Sequence, residues 1–151
     1  MKTFSKTIDI QAPPQRVWAV LSDIEGWPEW TASVKSVERF DSGPLVVGTR
    51  ARLRQPKLRP AIWRITQVDK GTSFTWVTRS PGLLATGRHR VEPMKKGSAS
   101  RVTLVVEFTG FLAPLVAWLT RSLNTRYLEL EAAGLKRRSE QQPRLADDAA
   151  L

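Results

Sequence analysis

The chain reads as an α+β domain: an antiparallel sheet of about seven strands, two short helices after the first strand, and one long C-terminal helix covering an apolar sheet face. Three observations predict it. Seven segments show the polar–apolar period of two that half-buries a strand. Six of them follow one another across short turns, which requires antiparallel pairing. A helical stripe of apolar residues over 113–139 then supplies the one element long enough, at roughly 40 Å, to cover the apolar face.

In order, Phe4, Lys6, Ile8 and Ile10 alternate with Thr3, Ser5, Thr7 and Asp9 as the first strand. Ala12-Pro13-Pro14 ends it, and Pro14 fits a first helical turn, where a missing N–H costs nothing. Val17, Trp18, Val20 and Leu21 form the buried face of a short helix, and Gly26-Trp27-Pro28-Glu29-Trp30 a second, shorter one. Strands are expected over Val34–Phe40, around Arg50–Arg54, and over Ile62–Val68, Ser73–Arg79, Leu83–Glu92 and Arg101–Thr109. Asp41-Ser42-Gly43-Pro44, Asp69-Lys70-Gly71-Thr72, Ser80-Pro81-Gly82 and Lys95-Lys96-Gly97-Ser98 punctuate them as turns.

The final helix is expected over Ala113–Ser139. Its stripe is Leu115, Val116, Leu119, Leu123, Tyr127, Leu130 and Ala133, with Arg121, Asn124, Glu129, Lys136 and Arg138 on the other face. Glu140-Gln141-Gln142-Pro143 breaks it. The expected organisation is one domain over 1–140 and a disordered tail over 141–151.

Composition narrows the function. At 151 residues the chain can bury a real core, and with no cysteine and a single histidine it has neither a thiolate metal site nor a cysteine nucleophile. No metal or cofactor is expected. Glycines fall at separate turns, so no phosphate-cradling loop forms, and no serine sits in an elbow motif. Asp23, Glu25 and Glu29 match no acid/base spacing and read as surface residues. No apolar run reaches a membrane span and the N-terminus lacks a signal-peptide core, which reads as a cytoplasmic protein.

Several pieces carry a family resemblance: Ile10-Gln11-Ala12-Pro13 leading into Val17-Trp18 and Leu21-Ser22-Asp23, Trp27-Pro28-Glu29-Trp30, Val47-Gly48-Thr49, Val91-Glu92-Pro93, and the long last helix. Together they resemble the START-like (helix-grip, SRPBCC) superfamily, and within it the polyketide cyclase/dehydrase group, over about residues 3–140. The resemblance implies a helix-grip fold, a curved sheet wrapped around the long helix with an apolar cavity between them. It implies no shared catalytic motif, since the fold hosts lipid carriers, hormone binders, cyclases and co-chaperones.

The expected cavity is lined by Trp30, Trp63, Phe74, Trp76, Thr78, His89, Leu104, Val106, Phe108, Leu119, Leu123 and Tyr127. Large apolar walls with a few polar groups are the chemistry of a small-molecule pocket, and Thr78, His89 and Tyr127 are the polar candidates. His89 lies in phase with the small residues Ala85 and Gly87. As the sole imidazole it is the candidate general acid or base, with a buried, hydrogen-bonded core histidine as the plainer reading. The partner expected is thus a hydrophobic or aromatic small molecule or a lipid, bound without chemistry or turned over by a cyclase- or dehydratase-like reaction.

The net charge of +10 raises a different class of partner. Arg50, Arg52, Arg54, Arg64, Arg88 and Arg90 all fall on the sheet phase opposite the tryptophans. A nucleic-acid reader interleaves exposed aromatics with its cations, and here they point the other way. An anionic membrane surface, an acidic protein or simple solvation are the uses this favours for that face, with an RNA-interaction surface as a less favoured alternative.

Overall fold

The computed structural model describes the backbone of residues 2–150 and the side chains of residues 2–141. Seven strands form one antiparallel sheet: β1 (Lys2–Ile10), β2 (Ser36–Arg39), β3 (Arg50–Arg54), β4 (Ala61–Asp69), β5 (Ser73–Ser80), β6 (Leu83–Met94) and β7 (Ala99–Thr109). Their order is β1-β7-β6-β5-β4-β3-β2, so β2 to β7 are a continuous meander and the first strand closes against the last. Between β1 and β2 lie α1 (Pro14–Ser22), which starts on Pro14 as expected, and a 3-10 turn over Ile24–Glu29. The C-terminal helix packs on β1, β7 and α1. This is the helix-grip architecture.

Alternation placed the strands because each inner residue is buried and each outer one is not. Ala51 and Leu53 are buried between the exposed Arg50 and Arg54. β2 is shorter than expected: Val34 is instead buried in a turn that hydrogen-bonds back to Thr31. In β4 the register against β5 slips between Ile65 and Gln67, so Val68, not Gln67, faces the core opposite Phe74. A bulge of this kind lets one strand pass two residues over one of its partner and bends the sheet.

The expected single helix over Ala113–Ser139 is two helices, α2 (Ala113–Leu119) and α3 (Arg121–Ala150). Thr120 separates them. Its hydroxyl donates to the Val116 carbonyl at 2.6 Å and accepts from Asn124 Nδ2 at 2.8 Å, a back-bond that competes with helical geometry and bends a helix. The inward face nonetheless keeps helical spacing across Thr120, from Ala113 and Ala117 to Asn124 and Leu128. The buried stripe of α3 is Tyr127, Leu128, Ala132, Leu135 and Ser139, while Leu115, Leu119 and Ala133 of the expected stripe are exposed. The break expected at Glu140-Gln141-Gln142-Pro143 is not observed, since the backbone of α3 continues to Ala150; the side chains of the expected tail over 141–151 lie, from residue 142 on, outside those described.

Two apolar clusters build the interior. The larger joins Ile10, Val17, Leu21, Ile24, Trp27, Ile65, Phe74, Leu104 and Leu135 under α1 and α3. The smaller joins Ala85, Phe108, Ala113 and Ala117 under α2. Trp63 and Val106 pack against both. Glycine permits the tightest approach: a Cβ at Gly134 of α3 would overlap the Trp30 carbonyl oxygen, which also accepts from Arg137 Nη2 at 3.0 Å.

Candidate ligand cavity

Between the two clusters the sheet and helix stand apart and leave a cavity of about 230 Å³. Its sheet wall is Leu53, Ala61, Trp63, Thr78, Leu83, Ala85, Val106 and Phe108, and its helix wall is Val116, Thr120, Asn124, Tyr127, Leu128 and Glu131. The loop between β3 and β4 contributes Gln55, Leu58 and Arg59 at the mouth. A smaller lobe of about 50 Å³ continues inward past Trp76, His89 and Leu104 and shares Trp63, Val106, Leu128 and Glu131 with the main one.

Of the residues expected to line it, Trp63, Thr78, Val106, Phe108 and Tyr127 do so in the main cavity, and Trp76, His89 and Leu104 in the inner lobe. The other four lie elsewhere. Phe74 is fully buried core, stacked on His89 and edge-on to Trp18. Trp30 packs edge-on to Trp27 under Gly134 and faces a separate surface hollow beside α1. Leu119 points out of the molecule at the end of α2, and Leu123 sits half-buried beside the cavity without lining it, because the inward face runs through Ala113, Ala117, Thr120, Asn124 and Leu128, out of phase with the stripe read from sequence.

His89 is fixed rather than free. Its ring stacks on Phe74 at 4.1 Å between centroids and 12° between planes, with Trp27 and Trp76 against it at 5.6 and 5.7 Å. Nδ1 lies 3.4 Å from the Phe74 carbonyl oxygen, a contact that suits the tautomer with its proton on Nδ1. Burial pushes its pKa down to about 4, so the imidazole is neutral near pH 7. Gly87 makes this packing possible: a Cβ there would press into the Trp76 indole, 2.7 Å from Nε1.

The polar groups of the wall are largely tied to the protein. Thr120 and Asn124 bond each other, and the Tyr127 hydroxyl donates to the Pro56 carbonyl. Glu131 differs. Half-buried, it lines both lobes among mostly apolar residues, and the loss of water pushes its carboxyl up to about 7 with no charge or hydrogen bond to offset it. A carboxyl in that state is neutral or ionised in comparable amounts near neutral pH, so it can donate to a ligand acceptor, accept from a ligand donor, or pass a proton.

A family model described as polyketide cyclase / dehydrase and lipid transport matches residues 1–140. The chain belongs to this family. No curated protein matches it in sequence. Among solved structures, a hypothetical protein of Helicobacter pylori superposes with a TM-score of 0.78 at 14% identity, over 91% of this chain and 88% of the other. A START superfamily protein of Mycobacterium smegmatis gives 0.72 at 18% identity over 93% and 98%. A Streptomyces aromatase/cyclase gives 0.69 at 16% identity over 91% and 94%. At these identities the likeness is one of fold alone.

Proposed function

We propose that this polyketide cyclase/dehydrase family member binds a compact apolar or aromatic molecule, or part of a lipid, in the cavity between sheet and α3, with Glu131 as the polar anchor. The observation that carries the reading is a single carboxyl, Glu131, among mostly apolar walls whose other helix-side polar groups are bonded to the protein. Apolar walls with a few placed polar groups are how small-molecule sites combine affinity with orientation. At about 230 Å³ the main cavity is smaller than the roughly 300–1,000 Å³ of drug-sized sites, which favours a ligand of up to about three rings or a short acyl segment. A hydroxyl or amine on that ligand would satisfy Glu131.

A second reading is catalytic, and Glu131 again supports it. An acid or base works best with a pKa near the operating pH, where Glu131 stands and His89 does not. If the chain turns over a cyclase- or dehydratase-like substrate, Glu131 is the group placed to move the proton, while His89 holds the wall of the inner lobe.

Titration with the neutral apolar fluorophore N-phenyl-naphthylamine tests the binding reading. Ala85 is buried and lines the main cavity, so Ala85→Leu fills space that is empty instead of displacing core. The wild-type chain is expected to bind the probe saturably, and Ala85→Leu to weaken binding at least about tenfold with its thermal midpoint retained. Equal binding by both would place the probe, and the site, elsewhere.

A further inference from the structure

Helix α2 is apolar on both sides. Ala113, Val116, Ala117 and Thr120 face inward, where Val116 and Thr120 form one lip of the cavity. The opposite side is Leu115, Trp118 and Leu119, continued by Phe111 just before the helix, and these are 52, 66, 65 and 82% exposed. Spacings of four, seven and eight residues put them on one face. Across the mouth Leu58 is exposed on the loop between β3 and β4. Large side chains massed at one rim in this way mark a contact surface, whereas isolated exposed apolar residues do not.

The charge around this rim has one sign. The segments that form it, residues 54–61, 77–85 and 108–128, contain no aspartate or glutamate. They carry Arg54, Lys57, Arg59, Arg79, Arg121 and Arg126, all exposed. Two copies meeting rim to rim would bring like charges together, which disfavours a symmetric dimer as the occupant. Short aliphatic and aromatic side chains flanked by guanidinium and ammonium groups instead match the boundary between acyl chains and anionic headgroups.

We propose that the rim formed by α2 and the β3–β4 loop docks on an anionic lipid bilayer, with Phe111, Leu115, Trp118 and Leu119 seated below the headgroups and the cavity mouth turned toward the membrane. The contact is peripheral: no helix among the described residues is long and apolar enough to cross a bilayer. It places an apolar cavity against the phase in which apolar molecules dissolve. The docking stands on the outer face of α2 and is independent of what fills the cavity.

Co-sedimentation of the whole chain with vesicles of phosphatidylcholine alone, and of phosphatidylcholine and phosphatidylglycerol in equal parts, tests the proposal. The expected result is binding to the anionic vesicles that weakens steeply with added salt, and little binding to the neutral ones. Trp118→Ser with Leu119→Ser, both exposed and outside the cavity lining, should weaken binding about tenfold or more while leaving the thermal midpoint and probe binding in the cavity unchanged. Arg121→Glu with Arg126→Glu should weaken it several-fold per charge, whereas Arg50→Glu with Arg64→Glu on the outer sheet face should not. No vesicle binding at low salt would overturn the proposal. So would equal binding to both vesicles, control by Arg50 and Arg64, self-association abolished by the Trp118 variant, or capture of an acidic protein through this rim without lipid binding.

Discussion

Tyr127 of α3 donates its phenol proton to the backbone carbonyl of Pro56, joining the helix to the loop over the cavity mouth across 71 residues of chain. Burial pushes the phenol pKa up, so Tyr127 stays a donor throughout the physiological range. Tyr127→Phe keeps the ring and removes the tether. The expected cost is about 1 kcal/mol of stability, the usual net worth of one such bond. Stopped-flow mixing with the naphthylamine probe should show entry and exit both faster, with a smaller change in affinity. Unchanged rates would mean that the loop does not gate the mouth.

Glu131 and His89 oppose one another in the pH dependence of stability. Folded Glu131 keeps its proton up to about pH 7 against 4.5 unfolded, so between those values the folded state binds more protons and stability falls as pH rises. His89 takes its proton in the folded state only near pH 4 against 6.5 unfolded, so there the unfolded state binds more and stability rises with pH. Where the windows overlap the two slopes, each at most about 1.4 kcal/mol per pH unit, largely cancel. Glu131→Gln should expose the histidine slope, with stability climbing from about pH 4 to 6.5 and exceeding wild type above pH 7, where the buried carboxylate is gone. His89→Gln should expose the opposite slope. Urea unfolding at a series of pH values measures both, and parallel profiles for wild type and Glu131→Gln would contradict the burial of that carboxyl.

Gly134 tests the grip itself. Alanine is the better helix former by about 1 kcal/mol in an exposed interior position. Here its Cβ would overlap the Trp30 carbonyl oxygen, a backbone atom that cannot swing aside. Gly134→Ala should therefore destabilise, by roughly 1–3 kcal/mol as overpacking does, and lower the thermal midpoint. A rise in the midpoint would show that α3 can shift away from Trp30 at little cost.

What was legible in the sequence follows from how rigid each periodicity is. A strand alternates strictly, so Trp63, Trp76, Val106 and Phe108 could be assigned to the inner face from their neighbours alone, and the bulge after Ile65 disturbed only the residues beyond it. A helix stripe must be phased. The large Leu115 and Leu119 set the phase of the reading, whereas the small Ala113 and Ala117 face inward, so that phase assigns Leu119 inward and Asn124 outward, the reverse of their positions. Glu131 escaped notice because charged residues are sorted to the surface by default. The available signal was its place in the buried row, three residues after Leu128 and four before Leu135.

The central claim is that Glu131 is the one carboxyl of a mostly apolar site open to a ligand, and its carboxyl resonance measures this most directly. With side-chain carboxyl carbons labelled and Glu131 assigned by its loss in Glu131→Gln, NMR titration should show a midpoint near 7, rising further when the naphthylamine probe fills the cavity and removes the remaining water. A midpoint in the ordinary carboxylate range, unmoved by saturating probe, would contradict the account.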